Sequence, residues 1–156
     1  MAEDLRIELP IETERLVIRP LVIEDAADLA ESREWIQEKI DRYERDGGMS
    51  LWAAVDRESG KAVALAGLQW EEIEGEREID LGCVVARHAQ LHGYGTEASV
   101  AILQAAFAAG FERVTALTKR DNEVALRVLG KLGFTRHGET TLEGIPYAFF
   151  SLASPV

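Results

Sequence analysis

Gln90-Leu91-His92-Gly93-Tyr94-Gly95-Thr96-Glu97-Ala98 decides how this chain is read. A strand-like run, Asp80 to Ala86, precedes it, and a long apolar-periodic stretch from about Gly93 to Ala109 follows. Two glycines at a strand-to-helix junction let the backbone approach a ligand closely. The first turn of a helix has unpaired N–H groups pointing out of its end. Together with the helix dipole they form an anion site, most often for phosphate. No basic side chain is required, which matters in a chain with formal net charge −11. The stretch is expected to hold the pyrophosphate of a nucleotide-containing cofactor.

Outward from this turn the pattern is that of one α/β domain spanning residues 1–156. Leu16 to Leu21 reads as a first strand. Glu24-Asp25 opens a helix, and Glu34 to about Arg45 continues helical, with Trp35, Ile36, Ile40 and Tyr43 on one side. Leu51 to Val55 and Ala62 to Trp70 read as a hairpin. Glu71 to Glu78, centred on Gly75, reads as a turn before a third antiparallel strand, Ile79 to Val85. After the glycine turn, the helix buries Ala98, Ile102, Ala105, Ala106 and Ala109 by spacing, and Gly110 ends it. Val114 to Thr118 should then pair parallel to the strand before the turn, through a right-handed crossover. Asp121 or Asn122 caps a further helix with Val124, Leu126, Val128, Leu129 and Leu132 on its apolar face. Two final strands close the chain. The expected sheet is mixed, with an antiparallel first half and one parallel strand–helix–strand unit.

Composition narrows the function classes. The acidic charge argues against nonspecific nucleic-acid binding, which rests on Lys and Arg contacts to phosphate. It is compatible with a cationic substrate such as an amine. No apolar run approaches membrane-span length, and the acidic start Met1-Ala2-Glu3-Asp4 is unlike a signal peptide. The single cysteine, Cys83, reads as a buried core thiol in a cytoplasmic protein. No metal-ligand set is read. Exposed strand edges and aromatics such as Trp70 leave room for a homodimer.

Three phosphate-binding patterns compete. A Walker loop finds no match. A dinucleotide fingerprint is met literally by Gly93, Gly95 and Ala98, with Glu112 near the distance of a ribose acid. Its context is wrong, because three antiparallel strands and the loop from Arg87 to His92 come first. The third pattern, Gln/Arg-x-x-Gly-x-Gly/Ala opening a helix, is met by Gln90, Gly93 and Gly95.

On that pattern the chain resembles the GNAT N-acetyltransferases, and within them the branch that includes ribosomal-protein N-terminal acetyltransferases. Glu14 to Arg19, Gly67-Leu68-Gln69, Asp80-Leu81-Gly82-Cys83, Gly93 to Ala98, and Asn122 with Ala125 and Lys131 to Phe134 are similar to that branch in order. The resemblance implies acetyl-CoA as donor, held between two splaying parallel strands, here Asp80–Ala86 and Val114–Thr118. It implies Val84 and Val85 main-chain N–H groups at the acetyl carbonyl. It implies a pyrophosphate cradle from Gln90, Leu91, His92, Gly93, Tyr94, Gly95 and Thr96, with Arg87, His88 and His92 near the outer phosphates. Asn122 is similar to an asparagine that touches the pantetheine arm, besides capping its helix. Glu97 is read as a structural carboxylate in the first helical turn. Asp80 stands where the branch has a strand Glu and is the first candidate for general base, acting through water. Glu78, on the same strand face, is the second. Leu129 occupies the position where many members carry an acidic tyrosine, and Tyr147 is the remaining candidate for an acid.

The implied reaction is direct acetyl transfer to a primary amine in a ternary complex. A protein N-terminus, an amino acid and a polyamine-like amine all stay open as acceptors. A noncatalytic acyl-CoA-binding domain and a dinucleotide-dependent oxidoreductase are the alternatives. The short connection from Asp28 to Trp35 is expected to trim the roof over the acceptor site.

Overall fold

A computed structural model describes residues 2–155. It contains an eight-stranded mixed sheet in the order β1-β2-β3-β4-β5-β6-β8-β7. The strands are β1 (Ile11–Glu12), β2 (Leu16–Arg19), β3 (Leu51–Asp56), β4 (Ala62–Ile73), β5 (Glu76–Val85), β6 (Arg113–Thr118), β7 (Thr135–Leu142) and β8 (Ile145–Ala153). The helices are α1 (Asp25–Leu29), α2 (Arg33–Arg45), α3 (Tyr94–Ala109) and α4 (Glu123–Lys131). Every strand pair is antiparallel except β5 with β6. The fold is thus the α/β arrangement expected from the sequence.

Between α1 and α2 lie only residues 30–32, and the short link is pinned at both ends. Ala30 ends α1 in a left-handed conformation at φ 57°, and Ser32 caps α2 by accepting from the Trp35 N–H at 3.1 Å. Asp25 takes both arms of the Arg19 guanidinium at 2.9 Å and also the Val22 N–H. This pair, with Asp25 buried and Arg19 half-buried, fixes the end of β2 against α1. Asp28 accepts from the Ala62 N–H at the start of β4. Thus α1 is tied to two strands by carboxylates, which compensates for its five-residue length. The core runs along both sheet faces through Leu16, Ile18, Ile36, Trp52, Leu65, Leu68, Ile102 and Val114, all sealed from solvent.

Several expectations need correction. The acidic stretch from Glu71 to Glu78 is not a long turn. β4 continues to Ile73 and β5 starts at Glu76, leaving a two-residue connection. Glu74 and Gly75 both take positive φ, 51° and 81°, the geometry that matches strand twist in a tight hairpin. Repulsion among the acids is offset by cations: Arg42 reaches Glu71 at 2.8 Å and Arg113 reaches Glu78 at 3.0 Å. The first strand ends at Arg19, before Pro20, and a short β1 precedes it unforeseen. Trp70 is not an exposed aromatic; it packs on Phe111 at 5.9 Å beneath the Arg77 guanidinium, so it gives no reason for a dimer. On α4 only Leu129 is buried, while Val124 stands 57 % exposed. Among the described residues no helix is long and apolar enough to cross a membrane.

Candidate active site

β5 and β6 are partners only at Asp80–Thr115 and Leu81–Ala116. Beyond Leu81, β5 keeps its pairing with β4 as far as Val85, and β6 keeps its pairing with β8 as far as Thr118. Gly82 to Val85 and Leu117-Thr118 therefore face each other unpaired. Buried main-chain groups need partners, so this gap is a place for a molecule that can complete the ladder.

The direction of each group follows from the register. Ala86 N–H donates to the Val63 carbonyl at 2.8 Å, and Val84 lies opposite Leu65 in the same ladder. Main-chain groups alternate sides along an antiparallel strand. Val84 thus turns its N–H toward β4, while Cys83 and Val85 turn theirs to the gap. The Val85 carbonyl confirms this direction, because the Gln90 side chain reaches it from the open side at 3.3 Å. Of the two N–H groups anticipated for an acetyl carbonyl, Val85 is available and Val84 is spent in the sheet. Cys83, which the sequence reading treated as core, supplies the second cleft-facing N–H.

Both parallel strands end at a helix start. After β5 the chain makes a tight turn at Arg87–Ala89 and enters α3 through Gly93. Gly93 is in the left-handed region at φ 79°, and no side chain caps the helix. Its first N–H groups are left for a ligand. Gly95 answers to packing: a Cβ there would stand 3.2 Å from Val85 Cγ2 and 3.5 Å from Cys83 Sγ. The glycine lets α3 start directly on β5, beside the gap. Leu91 holds φ 67° without being glycine and is 95 % exposed, a strained position in the loop.

Side chains around the turn are largely engaged with the protein. His92 Nδ1 points back to the Gln90 carbonyl at 2.8 Å, and its ring stacks on Tyr94. His88 Nε2 bonds the Asp28 carbonyl at 2.9 Å, while Arg87 is exposed. Glu97 is structural, as expected, but through contacts the sequence did not suggest. It accepts from Thr13 Oγ1 at 2.6 Å, the Arg15 N–H at 2.9 Å and Arg15 Nε at 2.7 Å. Burial opposes its charge, yet these hydrogen bonds and the Arg15 charge hold its carboxyl below the usual range. The clamp lays Arg15 over the Tyr94 ring at 4.4 Å, with Nη2 3.5 Å from where a Gly93 Cβ would be. Arg15 is a cation at the anion turn that sequence reasoning missed. Asn122, exposed after β6, caps α4 by accepting from the Ala125 N–H at 3.2 Å.

At the closed end of the gap stands Asp80, 7 % exposed. Its Oδ1 accepts the Thr115 hydroxyl at 2.7 Å. Loss of water raises its pKa well above the ordinary carboxylate range; Glu71 and Glu78 add to this, while the Thr115 bond and Arg42 oppose it. Glu78, two residues earlier, is committed to Arg113 at 3.0 Å. Cys83 is exposed as a residue, yet its thiol lies under α3 against Ser99. Burial pushes that thiol up to about 11, against the pull of the Ser99 bond. The packing of the sulfur, not the exposure of the residue, governs its protonation. Leu129 is buried and Tyr147 half-buried on β8.

The acetyltransferase (GNAT) domain family matches residues 27–135. An uncharacterised protein of Bacillus subtilis (strain 168), YkkB, is 32 % identical over 107 residues, which span 68 % of this chain and 62 % of that protein. An acetyltransferase from Agrobacterium tumefaciens str. C58 has a similar structure, with TM-score 0.76 and 19 % identity over 96 % of this chain and 97 % of that one. A ribosomal-protein-S5-alanine acetyltransferase from Vibrio fischeri gives TM-score 0.73 and 17 % identity over 95 % of this chain and 98 % of that one. A GNAT-family acetyltransferase from Bacillus anthracis gives 0.74 and 17 % over 94 % and 99 %. At such identities the structural likeness speaks for the fold, and the domain match speaks for the family. The chain belongs to the GNAT acetyltransferase family, whose chemistry is acetyl transfer from acetyl-CoA.

Proposed function

We propose that residues 1–156 act as one cytoplasmic N-acetyltransferase domain that moves an acetyl group from acetyl-CoA to a primary amine. The observation that carries this reading is the gap between β5 and β6, which opens beside an uncapped helix start. An extended arm fits the unpaired strand edge as an added strand. The main chain from Leu91 to Thr96, with Gln90 shaping the loop and Arg15 alongside, would hold the pyrophosphate. Asn122 would meet the arm from the start of α4.

The amine arrives protonated and must lose a proton before it attacks the thioester carbonyl. Asp80 is the base in this proposal. Its raised pKa brings it nearer the operating range of a proton acceptor. Glu78 is a weaker candidate because Arg113 holds it. Either the Cys83 or the Val85 N–H, which stand ~6.7 Å apart along the strand, would receive the negative charge that develops on the carbonyl oxygen, leaving the other for the extended arm. The leaving thiolate needs little help, since thiols ionise near pH ~8.5. Buried Leu129 offers no acid, so orientation and main-chain donors supply most of the rate.

The test is thiol release from acetyl-CoA with an amine panel: a short peptide with a free N-terminus, an amino-acid amide and a polyamine. Amine-dependent release, abolished in Asp80→Asn, is the expected result. Stabilisation by acetyl-CoA without turnover of any amine would instead establish a binding domain.

A further inference from the structure

Gln69 of β4 lies directly opposite Asp80 of β5 and is 9 % exposed. Its Oε1 accepts from Lys39 Nζ at 3.1 Å and from Arg42 Nη1 at 3.0 Å. Both cations come from α2, and Lys39 is itself buried. Two cations on one oxygen settle which way the amide faces, since the NH2 end carries only donors. Nε2 is thereby turned toward Gly82, 3.7 Å from where a Cβ on that residue would stand. Gly82 is the first residue of β5 past its last partner on β6. Among the described residues the Gln69 amide hydrogens find no acceptor, and the one side-chain atom both sealed from solvent and unpartnered is Arg42 Nε. The Nε2 hydrogens are therefore within reach of a molecule from outside. By the same reasoning Asp80 Oδ2 is reachable, since only Oδ1 is bonded to Thr115.

An aimed donor and an aimed acceptor thus stand side by side on the face covered by α2, at the closed end of the gap. The thioester oxygen has its own donor, the Cys83 or the Val85 N–H, further along β5. Gln69 is one pleat earlier, beside the base. We propose that Gln69, clamped by Lys39 and Arg42, is a specificity-determining residue that donates to the oxygen of a carbonyl group attached to the carbon bearing the acceptor's amine. This rests on the N-acetyltransferase reading above and narrows it. Amines of the α-amino carbonyl class satisfy both groups, the amine at Asp80 and the oxygen at Gln69. Plain alkylamines and polyamines offer no oxygen, and seating them strands the buried donors.

The experiment uses Gln69→Glu, which keeps an oxygen for Lys39 and Arg42 and removes the donors. Alaninamide and isopropylamine are compared as acceptors, each as the ratio of variant to wild-type kcat/KM. Values are taken on the plateau of the pH profile, because a new carboxylate raises Asp80 further. The expected result is a loss of roughly tenfold or more for alaninamide, an unchanged ratio for isopropylamine, an unchanged KM for acetyl-CoA and no fall in Tm. Equal losses for both amines, or none for either, would overturn the proposal. If wild type acetylates neither amine, the N-acetyltransferase reading is decided separately by the wider panel above. Gln69 is then judged by its side-chain amide resonances in protein labelled with 15N-glutamine, identified by their absence in Gln69→Glu. A shift on adding alaninamide to the CoA complex supports the contact, and an unmoved signal overturns it.

Discussion

The two ends of the β5–β6 gap are built by opposite means. The open end, from Val85 through Gly93 to Thr96, offers main-chain N–H groups, and its side chains serve the protein: Glu97 clamps β1–β2, His92 folds back on its loop, and Gly95 is small so that α3 can close on β5. The closed end offers side chains only. Asp80, Gln69, Thr115, Lys39 and Arg42 come from β5, β4, β6 and α2. A main-chain site tolerates most substitutions except those that move the backbone. A side-chain site fails with a single atom.

The sharpest way to break this contrast is Asp80→Asn. The variant keeps an oxygen for the Thr115 hydroxyl and loses the proton acceptor, so we expect kcat to fall by roughly 10²–10⁴ with acetyl-CoA affinity unchanged. Activity of the parent protein should decline as pH falls through the raised pKa of Asp80. Stability runs the other way. A carboxyl whose folded pKa lies above its unfolded value contributes stability fully present below the unfolded pKa and lost as pH rises through the folded one. The parent should therefore lose Tm on going alkaline through that pKa, and Asp80→Asn should not. An unchanged kcat in Asp80→Asn would remove Asp80 from the chemistry.

At the open end the matching test is Gly95→Val. Its Cβ would already stand 3.2 Å from Val85 Cγ2, and the branched side chain must push α3 off β5. We expect acetyl-CoA binding, followed by thermal shift against NAD as control, to weaken by tenfold or more. Once acetyl-CoA saturates, kcat should change far less than in Asp80→Asn. If kcat collapsed as well, the two ends would be one mechanical unit.

This difference also explains what the sequence disclosed. The glycine turn is local: strand, two glycines and helix are adjacent in the chain, and the spacing alone placed Gly93 and Gly95 at the helix start. The β4–β5 hairpin was equally legible as far as Trp70 and again from Ile79, while the run of acids between them concealed two strand ends. The closed end was half legible. Asp80 was singled out from a resemblance, but Gln69, quoted only within the similar strand segment Gly67-Leu68-Gln69, was given no role. Nothing local reports that Lys39 and Arg42, about 30 residues earlier, would share its oxygen. Arg15 was missed for the same reason, its partner Glu97 lying 82 residues away. The choice between Val84 and Val85 depends on ladder phase, which requires the register of β4 against β5.

A smaller effect sharpens the open end further. Glu97→Gln keeps the shape of the clamp and weakens its hold on Arg15 and Thr13. The carboxyl is held below its unfolded pKa, so its contribution is present above the unfolded pKa and lost as pH falls through the folded one. At neutral pH we expect a Tm drop of a few degrees, shrinking toward zero in acid, with acetyl-CoA affinity reduced severalfold as Arg15 leaves the turn. A variant indistinguishable from the parent at neutral pH would mean the clamp is ornamental to both stability and binding.

The mildest probe sits where the two ends meet. Cys83 shows its main chain to the gap and its sulfur to the underside of α3, beside Ser99 and Gly95. With the thiol pushed up to about 11, the thiolate that alkylating agents attack is scarce at neutral pH. We expect iodoacetamide to label Cys83 far more slowly than a free thiol near pH 8, with the rate climbing steadily into the alkaline range. In Gly95→Val the lifted helix should uncover the sulfur and raise the neutral-pH rate, in step with the loss of acetyl-CoA binding. Rapid labelling of the parent at neutral pH would show that α3 does not rest on β5 as tightly as the Gly95 contacts require. The anion turn would then owe its geometry to the Glu97 clamp instead.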